Sequence, residues 1–128
     1  MRQIETIQRR NKLNDIYASD GIGNGGANHR YLILRAGTEN GDTPLRPEDI
    51  VGNIQMQHGP RYAENSISGL TTADLLEIAR DQLTAFQQGE MATRDAAVAL
   101  THIETALLWL NKRTEDRAER GVLGTMEK

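Results

Sequence analysis

Cysteine is absent from this chain, which removes disulfides, thiolate metal sites and a cysteine nucleophile together. A cytoplasmic setting fits that absence. Aromatics are scarce: one phenylalanine (Phe86), one tryptophan (Trp109) and three tyrosines in 128 residues, so each one that does occur stands out. No segment approaches the ~20 apolar residues of a membrane helix. The opening MRQIETIQRR also lacks the apolar run of a signal peptide. Excess positive charge is missing as well. A net charge of −3 and a pI near 5.6 argue against the basic stripe of a DNA- or RNA-binding protein, so any anion site must be local. No serine sits in a G-x-S-x-G context, and no carboxylate pair is marked out for acid–base work. His29, His58 and His102 are far apart and lack ligand spacing; no metal, no cofactor and no enzymatic activity are expected.

What is present suffices for one domain. At this length about two-thirds of the unfolded surface can be buried, and 38% hydrophobic content at low net charge is too high for wholesale disorder. Residues 1–18 read as an extended arm or weak strand, and SDGIGNGGANH as a glycine-dense turn. Gly21, Gly23 and Gly26 spell G-x-G-x-x-G, but the dinucleotide-binding reading needs a preceding strand and a following helix. Here a strand follows, so a turn is the better reading. Tyr31–Leu34 is that strand, short, apolar and bounded by turn signals. TENGDTPLRPED, with Asn40-Gly41 and two prolines, is a loop. In GNIQMQHG, Ile54, Met56 and His58 alternate with polar neighbours at the period of a half-solvated strand. RYAENSIS is a further short extended piece closed by Gly69.

Beyond Gly69 the period becomes helical. Thr71 and Asp74 suit a capping box; Leu75, Leu76, Ala79, Leu83 and Phe86 form a stripe, and Gly89 follows as a C′ residue. Thr93 is an N-cap for a second helix that meets no Gly or Pro until about Arg120, roughly 40 Å long at 1.5 Å per residue. The expected architecture is α+β: an N-terminal antiparallel sheet (about 1–70) packed with a C-terminal two-helix hairpin (about 71–121), then a tail, 122–128. So long a helix outreaches a small sheet, which places part of it at a dimer interface.

The long helix raises the functional question. Ala96, Ala99, Ile103, Ala106 and Leu110 fall on one heptad-like seam, and the line continues through Arg113, Arg117 and Arg120. Two readings stay open. The arginines are a solvated helix end, paired with Asp116 and favoured by the macrodipole. Alternatively, two chains bring them together around an anion, since a guanidinium fork matches neighbouring phosphate oxygens. Phe86 is either the last residue of its stripe or a stacking platform for a base. Arg61 is either solvated or a further ligand contact.

Two long segments carry a resemblance. One is IQMQHGPRYAENSISGLTTADLLEIARDQLTAFQQG, and the other MATRDAAVALTHIETALLWLNKRTEDRAERGVLGT. In their order and spacing they resemble the phage Thoeris anti-defence sponge family, over about the last 75 residues. The first 50 match mainly in ANHRYLI. The resemblance implies a non-catalytic homodimer, assembled into hexamers in some members, acting in the cytoplasm of the infected bacterial host. Its ligand would be a cyclic ADP-ribose isomer (glycocyclic ADP-ribose), or cyclic di- or trinucleotides in some members, held without degradation to block the Thoeris effector. By the same resemblance Phe86 stacks on the base, Arg113 and Arg117 face phosphates, and Arg61 is a second contact. The family pattern opens its second helix R-E-N, whereas this chain has Arg94, Asp95 and Ala96; Ala96 cannot supply the asparagine's hydrogen bond, which bears on ligand choice. The alternative from another class is a non-catalytic adaptor that binds a host protein through the long helix.

Overall fold

The computed structural model describes residues 1–38 and 44–128. Asn40-Gly41, read above as part of a loop, lies outside them. The chain divides into two compact units, residues 1–59 with 65–69 and residues 60–64 with 70–128. The α+β expectation holds: an N-terminal antiparallel sheet and a C-terminal pair of helices both form.

The first unit is a four-stranded antiparallel sheet in sequence order, β1 (Arg2–Gln3), β2 (Asn14–Ala18), β3 (Arg30–Arg35) and β4 (Ile50–Gln55). The register sets Tyr17 opposite Leu32 and Asp15 opposite Leu34. Because side chains alternate across a sheet, these four share a face, and Tyr17, Leu32 and the fully buried Leu34 form its core with Leu45 against it. The weak arm of residues 1–18 is therefore two strands, the second of them central. Its Asp15 is buried but satisfied. The Gly37 N–H donates to Oδ2 at 3.1 Å and the Lys12 ammonium stands 3.1 Å from Oδ1. These, the Gly37 bond first, hold its carboxyl below the ordinary aspartate range despite burial.

β4 begins before the predicted alternation and ends at Gln55, after which Met56 N–H still donates to His29 O at 2.7 Å. RYAENSIS does not form a strand. Residues 60–63 close a turn, Ala63 N–H to Pro60 O at 3.1 Å, and pairing is confined to a single bridge between His58 and Ile67. Pro60 offers no N–H, and Gly59 adopts φ 91°, so the chain reverses there. Gly69 fits so closely against the backbone of Gln55 and Met56 that a Cβ would stand 2.7 Å from the Met56 carbonyl oxygen.

One cluster in this unit was hidden by sequence distance. Asp20, His29 and His58 converge, with the His29 and His58 rings stacked at 4.1 Å and nearly parallel. The Asp20 carboxylate accepts the N–H groups of His29 (3.0 Å) and Arg30 (3.1 Å). Partial burial pushes its pKa up, but these amide donors outweigh it and leave it below the ordinary value.

The second unit holds α1 (Thr72–Gln87) and α2 (Arg94–Glu119). The capping box at Thr71 and Asp74 forms in both directions, at 2.9 and 3.1 Å, and Thr93 caps α2 through Ala96 N–H at 3.0 Å. Gln87 ties the connecting turn by donating to Thr93 O and accepting from Thr93 N–H. α1 packs on α2, and Arg80 bridges them through Glu104 at 3.0 Å, with Glu77 at 3.5 Å. Glu104 first, then Glu77, raises the Arg80 pKa further. No described helix is long and apolar enough to cross a membrane.

Neither helix contains a buried residue. Ala96, Ile103, Ala106 and Leu110 of the predicted seam are half-buried, as are Ala97, Leu100 and Leu107 one step round, whereas Ala99 is exposed. Large apolar side chains stay in water: Ile78 at 64%, Trp109 at 68% and Leu108 at 71% exposure. The hairpin of one chain thus covers only part of its own apolar surface.

Candidate anion-binding site

The C-terminal turns of α2 carry a shallow cleft of about 190 Å³, lined by Trp109, Lys112, Arg113, Asp116, Arg117, Arg120 and Lys128. Five of these side chains are cationic and one is acidic, on a chain whose net charge is −3. Helical geometry explains the concentration: Arg113, Arg117 and Arg120 step by three or four residues along one line. They meet as the sequence suggests.

Their partners differ from expectation. On the solvated-end reading Asp116 can pair with Arg113 and Arg120, whereas in the structure it takes the Lys112 ammonium at 2.8 Å. Lys112 is its (i, i−4) neighbour, and its flexible stem reaches the carboxylate with less restraint than a planar guanidinium. Arg113 is left exposed, with no ion pair among the described residues. Arg117 is half-buried and folds onto the tail. Its Nη2 donates to the carbonyls of Val122 (3.2 Å), Thr125 (2.9 Å) and Glu127 (2.8 Å). Its Nε is buried with no acceptor among the described residues. Arg120 donates to the Lys128 carbonyl.

Arg61 reaches the same neighbourhood by another route. It lies in the turn after Gly59-Pro60 with its guanidinium 6.0 Å from the Tyr62 ring centre. A Cβ on Gly124 would stand 3.2 Å from that ring and 3.7 Å from the Arg61 Cβ. The tail held by Arg117 therefore lies along the Arg61–Tyr62 turn.

Phe86 is elsewhere. It is 39% exposed at the end of α1, where Gln87 fixes the start of α2 at Thr93. Arg113 lies about 30 Å farther along the α2 axis at 1.5 Å per residue. Within one chain the ring and the arginines belong to opposite ends of the hairpin. Ala96 begins α2 at the Phe86 end and carries no polar side chain there.

A larger hollow of about 620 Å³ runs between the helices, lined by Ala73, Glu77, Arg80, Glu104, Leu107 and their neighbours. It is the weaker anion site, because its only cation, Arg80, already serves two carboxylates. Sequence reasoning missed the parts of the smaller cleft supplied by Trp109, Lys112 and Lys128, and the tail carbonyls that occupy Arg117. The seam line itself pointed to Arg120; nothing local marked the tail.

Comparison with known proteins bears on the family of the chain. The Acb2/Tad1 hairpin domain matches residues 48–115, a span that includes β4, α1 and most of α2. Thoeris anti-defense 1 of Bacillus phage SBSphiJ7 is 34% identical over 116 residues, covering 80% of this chain and 81% of that relative. Sheet, capped hairpin and family match concur: the chain belongs to the Acb2/Tad1 hairpin family, the anti-Thoeris sponges that its helix motifs resemble.

Proposed function

We propose that this protein is a phage anti-defence sponge, binding a cyclic nucleotide immune signal of the glycocyclic ADP-ribose or cyclic di- or trinucleotide class without degrading it. The observation that carries the reading is the cationic cleft at the end of α2. Anionic phosphates would lie against the exposed Arg113, with Arg117 and Arg120 lining the same cleft. Binding sites for ligands of this kind occupy ~300–1,000 Å³, so a cleft of about 190 Å³ is a fraction of one. A second copy running antiparallel would complete it by bringing its Phe86 to the arginines of the first. The same contact would cover the apolar surface that α1 and α2 leave in water. Arg61, beside the tail, flanks the cleft as a further contact.

A sponge needs affinity and copy number rather than rate enhancement, and nanomolar binding corresponds to about −12 kcal/mol. Arginine–phosphate bonds, base stacking and burial between subunits are together of that order. The test is to incubate purified protein with the signal, remove unbound nucleotide, heat to denature, and analyse what is released. Intact nucleotide is expected. A hydrolysed product would replace sequestration with catalysis, and absence of binding would leave the exposed α2 face to an adaptor role.

A further inference from the structure

We propose that Asp20, His29 and His58 form a binding site for a divalent cation of the zinc class, separate from the arginine cleft. Three donor residues from distant parts of the sequence present one nitrogen or oxygen each, all within 4.8 Å of one another. His29 is about nine-tenths buried, and its Nδ1 is buried with no hydrogen-bond partner among the described residues. A buried imidazole nitrogen without a partner is costly, and a metal ion is one way to satisfy it. Gly23 packs close beside the two rings: a Cβ there would stand 2.7 Å from His58 Nε2 and 3.4 Å from His29 Nδ1, so a larger residue would crowd both nitrogens.

The donor set suits the ion. Two neutral imidazoles and one carboxylate are borderline ligands that zinc binds at ~2.0–2.2 Å, with water completing the shell. Asp20 is already oriented by the His29 and Arg30 N–H groups, as an outer shell should orient a ligating carboxylate. The two rings are parallel within 4° at 4.1 Å, whereas a shared ion must lie in the plane of each. Coordination therefore requires one ring to swing out of the stack. His58 is the one able to do so: it is half-buried, and its backbone stays fixed by paired bonds to Ile67 of 2.9 and 2.8 Å. The ion would fasten the glycine-rich turn around Asn24–Gly26 to the segment after β4, a clasp that no cysteine is present to provide.

Untagged full-length protein, stripped with chelator and dialysed, is titrated with Zn²⁺ in a calorimeter and with Co²⁺ by visible absorption. One ion per chain is expected, with Co²⁺ bands of low-symmetry nitrogen and oxygen coordination. Zn²⁺ should raise the melting temperature. His58→Ala should weaken binding at least ~100-fold and abolish the thermal shift, while His102→Ala, on exposed α2 surface, changes neither. Lack of saturable binding to the native chain overturns the site, whatever the variants do. So does binding that survives His58→Ala or depends on His102.

Discussion

The separation of Phe86 from Arg113 gives the sharpest test of how a binding site is assembled. If each site takes its aromatic ring from one copy and its guanidinium from the other, Phe86→Ala and Arg113→Ala injure the same site from opposite chains. Loss of a stacked base costs ~1–3 kcal/mol, and loss of a charge-assisted bond to phosphate ~1.5–3 kcal/mol. Each variant alone should therefore bind about 5- to 150-fold more weakly. Mixing the two after partial denaturation and refolding changes the outcome. In a twofold-symmetric mixed dimer one site carries both substitutions and the other carries neither. With random exchange, about a quarter of all sites should thus regain native affinity. Calorimetry would show this as a tight phase of roughly quarter stoichiometry above a weak background. If subunit exchange is confirmed by mass and no tight phase appears, ring and arginine do not meet across chains. A single chain cannot bridge the ~30 Å between them, so the assignment of at least one residue would then fall.

Other expectations concern the scaffold. The Asp15 carboxyl lies below the ordinary aspartate range, so its contribution is complete above the unfolded value near pH 3.9 and disappears as pH falls through the lower folded value. Lys12→Met should accordingly cost about 1 kcal/mol in urea unfolding at pH 7, and the cost should shrink as the pH falls progressively below about 3.9; a cost that stays the same down the whole acid range would remove the ion pair from the account. Gly69→Ala forces a methyl against the Met56 carbonyl and should cost about 2 kcal/mol, visible as a fall of roughly 5–10 °C in melting temperature. An unchanged midpoint would show that the close approach relaxes freely. Arg117→Ala removes the Nη2 donor that the Val122, Thr125 and Glu127 carbonyls share. Amide exchange at Val122 and Thr125 should then accelerate roughly tenfold or more without change in the middle of α2, and unaltered exchange would mean the tail is held by something else.

The helices were legible because their signals are local. Thr71 and Asp74 are three residues apart, Thr93 and Ala96 likewise, and the capping bonds join those same pairs. The period of two around Ile54 and the compact apolar run of Tyr31–Leu34 were enough for β3 and β4. Asn14–Ala18 was underestimated because its strength comes from β3: Tyr17 and Asp15 are buried by residues opposite them in the sheet, not by any alternation of their own. His29 and His58 looked unrelated for the same reason, since only folding closes the distance between them. The arginine line on α2 was readable, but its chemistry was not. Which of Arg113 and Arg117 remains available depends on tail carbonyls and on Lys112 capturing Asp116.

A pair of helices in which every side chain keeps some touch with water has no dry interior to call its own. If copies pair over it as proposed, its persistence would follow mass action, firming as copies accumulate and loosening on dilution. Few molecules would mean a soft hairpin, and many a rigid one. For this molecule abundance would set structural integrity as well as capacity, so that melting curves taken at different concentrations should not superimpose.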